Sequence, residues 1–250
     1  YLSDKKQDVL TYDLQKKASA NLGYKETNET LRVEEFMHNY FVHATNIHQH
    51  SEIIFQRCIE TRPTVKKVIS SLTKKNLGYG FHASGDYLTL EDENSETLFK
   101  KNPALILTAL ELCQTHNLTL TYQIKRLIKK QNHSLGEVLA KEGVVKVFIL
   151  NTLKNSNSER FLRLMHEVGV LGLLLPEYGR ANCKVSYDFY HRYTADEHSL
   201  RMIRFLEELE TQPNNFKKFS KNYQQLNSKD LLKLSTFIQP ITKKKDSGDT

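Results

Sequence analysis

The 250-residue chain has no tryptophan and only three cysteines, Cys58, Cys113 and Cys183, far apart and odd in number. That excludes a disulfide framework and fits a reducing cytoplasm. Glycine and proline are scarce, ten and five, so the chain has few breaks and favours helices. No stretch approaches the roughly 20 apolar residues that a bilayer span needs, which excludes a membrane protein. The first ten residues include Asp4, Lys5, Lys6 and Asp8 and hold no secretory apolar segment. Several chemical signatures are also missing. There is no phosphate-cradling GxxxxGK[ST], no GxGxxG, no GxSxG, no HExxH and no CxxC. No Gly-Ser followed by an Asp-x-Asp pair occurs, so a polymerase-type nucleotidyltransferase centre cannot be assembled from these residues.

What is present is a basic, moderately apolar chain: 36 Lys+Arg against 29 Asp+Glu, with 39% hydrophobic residues. That composition suits one large or two modest folded domains. A chain opening at Tyr1 rather than Met is expected to be a piece of something longer. The apolar residues recur mostly at three and four, which predicts helices over 8–22, 28–61, 64–73, 103–115, 195–209 and 229–239, and one capped by Thr119 or Thr121 that runs through Lys130. The longest carries Val33, Phe36, Met37, Tyr40, Ala44, Ile47, Ile54 and Cys58 on one stripe, the pattern of a helix packed on a core. Ser134 with Glu137 and Ser156 with Glu159 read as capping boxes starting helices near 135 and 157. Val168 to Leu175, broken by Gly169 and Gly172 and closed by Pro176, fits a buried corner. Residues 211–228 fit a loop or a marginal helix. One β-hairpin is predicted over 77–91, around the turn Ser84-Gly85-Asp86. The fold class is therefore mainly α, a multi-helix bundle with one small hairpin.

The stretch richest in chemistry is 176–206, where His191 and His198 lie seven apart with Asp188, Asp196 and Glu197 between or beside them. Imidazoles beside carboxylates are what a metal or proton-transfer site requires, although a solvated surface corner has the same composition. Asp196 also sits where a helix cap belongs. His38, His43, His48 and His50 are spaced five, five and two apart, so they diverge around a helix and do not make a ligand set. Cys58 and Cys113 fall on apolar helix faces and read as core. The paired lysines and Lys243-Lys244-Lys245 are scattered and balanced by glutamates, which argues against nucleic acid as a partner. Three Asn-x-Ser/Thr patterns, at Asn28, Asn117 and Asn132, are idle in a cytoplasmic chain.

Segment 166–206 resembles the bifunctional uridylyltransferase/uridylyl-removing enzyme family, which modifies the nitrogen-signalling PII protein of bacteria. The likeness runs through Gly169-Val170-Leu171-Gly172, Leu175-Pro176-Glu177-Tyr178-Gly179-Arg180, Asp188-Phe189-Tyr190-His191 and Tyr193-Thr194-Ala195-Asp196-Glu197-His198. Weaker matches lie at Leu10-Thr11-Tyr12-Asp13-Leu14-Gln15, Gly23-Tyr24, Val33-Glu34-Glu35-Phe36-Met37, Tyr40-Phe41 and His43-Ala44. The resemblance implies a helical uridylyltransferase-associated domain over 1–184. It implies that 185–250 is the N-terminal part of a histidine–aspartate (HD) phosphohydrolase domain, with the transferase centre before Tyr1 and ligand-sensing domains after Thr250. His191, Asp196 and Glu197 are the catalytic candidates by family motif, and none is assigned a catalytic role. His198 matches the early metal-binding His of such hydrolases. Gln239 and Pro240 stand where the later His-Asp pair belongs, and Gly248-Asp249-Thr250 where the family has Gly-Asp-His.

Gln offers a neutral oxygen and Pro no ligand, so His198 is expected to be a relic ligand. Pro240 is also expected to break its helix against the carbonyl of Thr236. The family uses UTP and a divalent metal (Mg or Mn); this chain is expected to hold no cofactor itself. The expected role is a non-catalytic scaffold for a flanking nucleotidyltransferase domain, with docking of a PII-like signalling protein as its second expected part. Two alternatives stay open. One is a metal-dependent uridylyl-removing phosphodiesterase with atypical ligands such as Asp246 or Asp249. The other is a nucleic-acid-binding or signalling module.

Overall fold

The computed structural model describes residues 9–60, 74–90, 95–139, 143–188 and 192–242. Among them are 13 helices and one small sheet, so the chain is mainly α. The predicted helix over 64–73 lies outside the described residues.

The first two helices form a pair. Helix α1 (Tyr12–Asn21) stops at Gly23, whose φ of 79° only glycine adopts without strain. Helix α2 (Glu29–Glu60) begins where the Asn28 side chain accepts the N–H of Leu31 at 3.2 Å. Ala18, Val33, Phe36 and Met37 bury between them, with Leu10, Tyr24, Phe41, Val185 and Tyr187 closing the cluster. Only the first turns of the α2 stripe are covered. Tyr40, Ile47 and Ile54 are exposed and so is Cys58, against the expectation of a core cysteine. At 1.5 Å per residue α2 is about 48 Å long, and Ile47, Ile54 and Phe55 of its second half stay exposed although Gln49 there still meets Lys129.

The sheet is larger than the predicted hairpin. Strands β1 (Lys75–Gly78), β2 (Phe81–Ser84) and β3 (Tyr87–Leu90) form an antiparallel meander, and β4 (Thr119–Leu120) adds a parallel strand beside β3. The β2–β3 turn is the expected one and has positive φ at Gly85. The β1–β2 turn has positive φ at both Tyr79 and Gly80, as a type I′ turn demands, and a tyrosine there carries no sequence signal for it. Phe81 and Leu88 face the main core.

That core is built by the helices that follow: α3 (Ser95–Lys101), α4 (Leu105–His116), α5 (Tyr122–Lys130), α6 (Asn132–Leu139), α7 (Val144–Lys154) and α8 (Ser158–Glu167). The chain then turns through α9 (Val170–Leu174) and α10 (Pro176–Arg180), and returns in α11 (Ala195–Thr211), α12 (Lys217–Gln224) and α13 (Lys229–Thr242). Cys113 is buried here as expected, and burial pushes its thiol up to about 12. Leu200 and Ile203 of α11 and Phe237 of α13 belong to the same apolar cluster as α4 to α9.

Two predicted caps are misplaced. Helix α6 starts at Asn132, three residues before the expected start, so Ser134 lies inside it. Helix α8 starts after Asn157, and Ser158 turns inward to bond the carbonyls of Leu153 and Asn155. Helix α13 runs through Pro240 to Thr242, against the expected break. Proline removes one hydrogen bond, and among the described residues only Ile241 and Thr242 follow it. Ile241 packs on the core and the Thr242 hydroxyl bonds Ile238 O at 3.2 Å, which holds the last turn.

The corner at 168–176 is buried as expected, and two glycines set it. A Cβ on Gly172 would lie 3.2 Å from Gly179 Cα, and one on Gly179 would lie 3.2 Å from Gly172 O. Both obstacles are backbone, so α9 and α10 would have to separate. Gly172→Ala should destabilise the chain by about 1–3 kcal/mol, measured as a shift in the urea midpoint at unchanged slope. An unchanged midpoint would refute this account of the corner.

Candidate functional site

Two of the family-motif residues, Asp196 and Glu197, lie in a polar seam between α8, the segment 181–188 and the first turn of α11. Helical spacing puts Glu159, Arg163 and His166 on one face of α8, and that face meets Asp196 and Glu197. Arg163 Nε bonds Glu159 Oε1 at 2.7 Å, and its Nη1 bonds Glu197 Oε2 at 2.8 Å. Arg201, one turn along α11, bonds Glu197 Oε1 at 2.8 Å and stacks 4.0 Å over the Tyr193 ring. Burial works to raise the Glu197 carboxyl, but the two guanidiniums outweigh it and hold it below the usual carboxylate range. A carboxylate so clamped is a weak base.

Asp196 is 5% exposed and does not cap its helix; Thr194 occupies that position. Its Oδ1 accepts the N–H of Cys183 at 3.1 Å, and its Oδ2 lies 3.5 Å from His166 Nε2. Burial drives His166 towards its neutral form, against the pull of Asp196 and with the push of Arg163. Tyr178 stacks on Phe237, meets the His166 ring edge-on and donates to Asp196 O at 3.4 Å. Its burial, with Asp196 close by, pushes the phenol well above its usual range.

Cys183 has φ of 55°, a strained value for a non-glycine residue, and the Asp196 bond holds it there. From this point the chain lies across the first helix pair like a strap. Cys183 O meets His38 Nδ1 at 3.1 Å, and Tyr187 N–H donates to Glu34 Oε1 at 3.1 Å. Tyr187 OH bonds Tyr12 O at 3.3 Å, and Tyr12 OH donates to Asp188 O. His38 therefore has a partner on the strap, whereas His43, His48 and His50 are exposed as expected.

His198 is half-buried on α11, its own N–H bonded to Thr194 O at 2.8 Å. Gln239 is exposed and Pro240 half-buried near the end of α13, the helix packed along α11. His191, Asp246 and Asp249 lie outside the described residues. Among the described residues no three His, Cys, Asp or Glu converge so as to share a cation, and a catalytic divalent ion generally keeps about three protein ligands. The described donor set does not fit one. Nor is any helix among the described residues long and apolar enough to cross a membrane.

Sequence reasoning found Asp196, Glu197 and His198, and had Tyr178 in the resembling string without a role for it, but missed Arg163, His166 and Cys183. A signal for Arg163 was Glu159 four residues before it, which was read as half of a capping box.

Two family models match the chain: the GlnD PII-uridylyltransferase model over residues 1–55 and the uridylyltransferase GlnD third-domain model over 81–174. The bifunctional uridylyltransferase/uridylyl-removing enzyme of Rhodospirillum rubrum is 30% identical over 217 residues, 84% of this chain and 22% of that protein. That of Bradyrhizobium sp. (strain ORS 278) is 27% identical over 219 residues, again 84% of this chain and 23% of the relative. That of Zymomonas mobilis is 26% identical over 246 residues, 97% of this chain and 26% of the relative. The chain thus spans about a quarter of the length of these relatives. With two models of the family matched along the chain and relatives aligned over most of it, the chain belongs to the PII-uridylyltransferase family.

Proposed function

We propose that this segment is a non-catalytic helical scaffold. It positions the nucleotidyltransferase domain of a PII-uridylyltransferase and offers a surface to a PII-like protein substrate in nitrogen signalling. The observation that supports this reading is the use made of the two family-motif carboxylates. Asp196 is spent on the Cys183 N–H and Glu197 on two guanidiniums, so the first serves the joint between α11 and the strap and the second the joint between α11 and α8. Residues 1–184 are the uridylyltransferase-associated part. Residues 185–250 are the start of a degenerate HD-like part that shares its core, with His198 a relic ligand beside Gln239 and Pro240.

The test is hydrolysis of bis-p-nitrophenyl phosphate by the purified chain with Mn²⁺ or Mg²⁺. The scaffold reading expects no rate above the metal-only blank. Turnover that disappears in His198→Ala would overturn it and establish the phosphodiesterase alternative.

A further inference from the structure

A second cluster of charge lies away from that seam, in the angle between α2 and α5. Helix α5 carries four cations in nine residues: Lys125, Arg126, Lys129 and Lys130. Tyr122, Lys125, Arg126 and Lys129 recur at three and four and share one stripe. That stripe lines a cavity of about 360 Å³ whose other wall is α2, at Gln49 and Ile53. The volume is in the range of small-molecule sites. Lys129 Nζ donates to Gln49 Oε1 at 2.9 Å, and Lys125 Nζ pairs with Glu167 Oε1 at 2.6 Å. Glu52 is the other carboxylate that lines it among the described residues, beside the four cations. Burial depresses the Lys129 ammonium, with Glu167 opposing and Lys125 adding to the effect. A cation held in that condition gains from an incoming anion.

The lining also has polarity along its length. Tyr122 opens α5 and Lys129 follows seven residues on, about 10 Å away at 1.5 Å per residue. An aromatic ring at one end and a group of cations at the other, at that separation, match a base and its phosphates. We propose that this cleft binds a nucleoside polyphosphate, with the phosphates on Arg126, Lys129 and Lys130 and the base against Tyr122 and Ile53. An extended nucleic acid is disfavoured, because the cations gather at one short cleft between α2 and α5 instead of tracking along a groove. The proposal stands apart from the scaffold reading, and its failure would leave that reading intact.

The test is calorimetric titration of the chain at low salt with ATP, and separately with inorganic tripolyphosphate. ATP should bind more tightly than tripolyphosphate, and Arg126→Gln with Lys129→Gln should weaken ATP at least tenfold. Tyr122→Ala should weaken ATP severalfold and leave tripolyphosphate unaltered. Circular dichroism checks that each variant is folded. A readout that needs no variant is acetylation of Lys129 by limiting acetic anhydride, which ATP should slow severalfold relative to Lys17. The absence of ATP binding and protection would overturn the proposal. So would tripolyphosphate binding as tightly as ATP, or a single-stranded oligonucleotide binding more tightly than either.

Discussion

Lys233→Ala should lower the stability of the chain by about 3–5 kcal/mol, which for about 250 residues is roughly 6–20 °C in Tm. Lys233 is 3% exposed, on α13. Its ammonium donates to Asn155 O at 2.8 Å and Ser158 Oγ at 3.0 Å, and pairs with Glu207 of α11 at 3.4 Å. Glu207 Oε1 also accepts the Ser158 N–H at 2.7 Å. One cation therefore ties the α7–α8 junction, α11 and α13 together. Truncation leaves a carboxylate, a carbonyl and a hydroxyl in a dry site without their donor. Burial already raises the Glu207 carboxyl, with Lys233 and the Ser158 N–H opposing. Without Lys233 it rises further. A carboxyl raised in the folded state binds its proton more tightly than in the unfolded chain, so stability is gained as pH falls through the folded value. The deficit of Lys233→Ala should thus shrink between pH 7 and pH 5. Lys233→Met with Glu207→Leu should recover most of the loss, and a double-mutant cycle would measure the coupling. A single-variant deficit below about 1 kcal/mol would show that the pair is dispensable.

Asp196→Ala should cost about 2–3 kcal/mol, the range for a hydrogen bond to a charged group with its partner left buried. Its diagnostic effect is local. Cys183 loses the bond that holds its left-handed backbone, so the strap from 183 to 188 should loosen. Amide hydrogen exchange should quicken across that strap and across the facing turns of α1 and α2. Amides of α5 and α7, which belong to the main core, should keep their protection apart from the uniform shift expected of lower global stability. Uniform acceleration over the whole chain would mean that Asp196 supports the core at large and not the strap.

Helix existence was legible because apolar spacing encodes it directly, as in α2, α4 and α11. Boundaries were not, since Ser134 and Ser156 had the composition of caps while one helix already begins at Asn132 and Asn157 holds the N-cap position of the other. Pro240 misled for a related reason: a local rule predicts a break, and the burial of Ile241 overrides it. In the sheet, Ser84-Gly85-Asp86 announced its turn, but Tyr79 gave no hint of positive φ and β4 is only two residues long. In the seam, Asp196 and Glu197 were visible as polar residues in a recognisable string. Their partners Arg163 and Cys183 lie 34 and 13 residues away, and His38, which meets Cys183, lies 145 residues from it; such pairings are fixed by packing, which spacing along one helix cannot express.

The route from Asp196 through Cys183 to His38 crosses only one stretch of backbone, and that stretch is bonded on both sides. The first helix pair and α11 are therefore geared: neither can rotate appreciably without dragging the other or rupturing the linkage. A body attached ahead of α1 would feel torque applied at α11, and the transmission would act by turning whole helices and not by melting any of them.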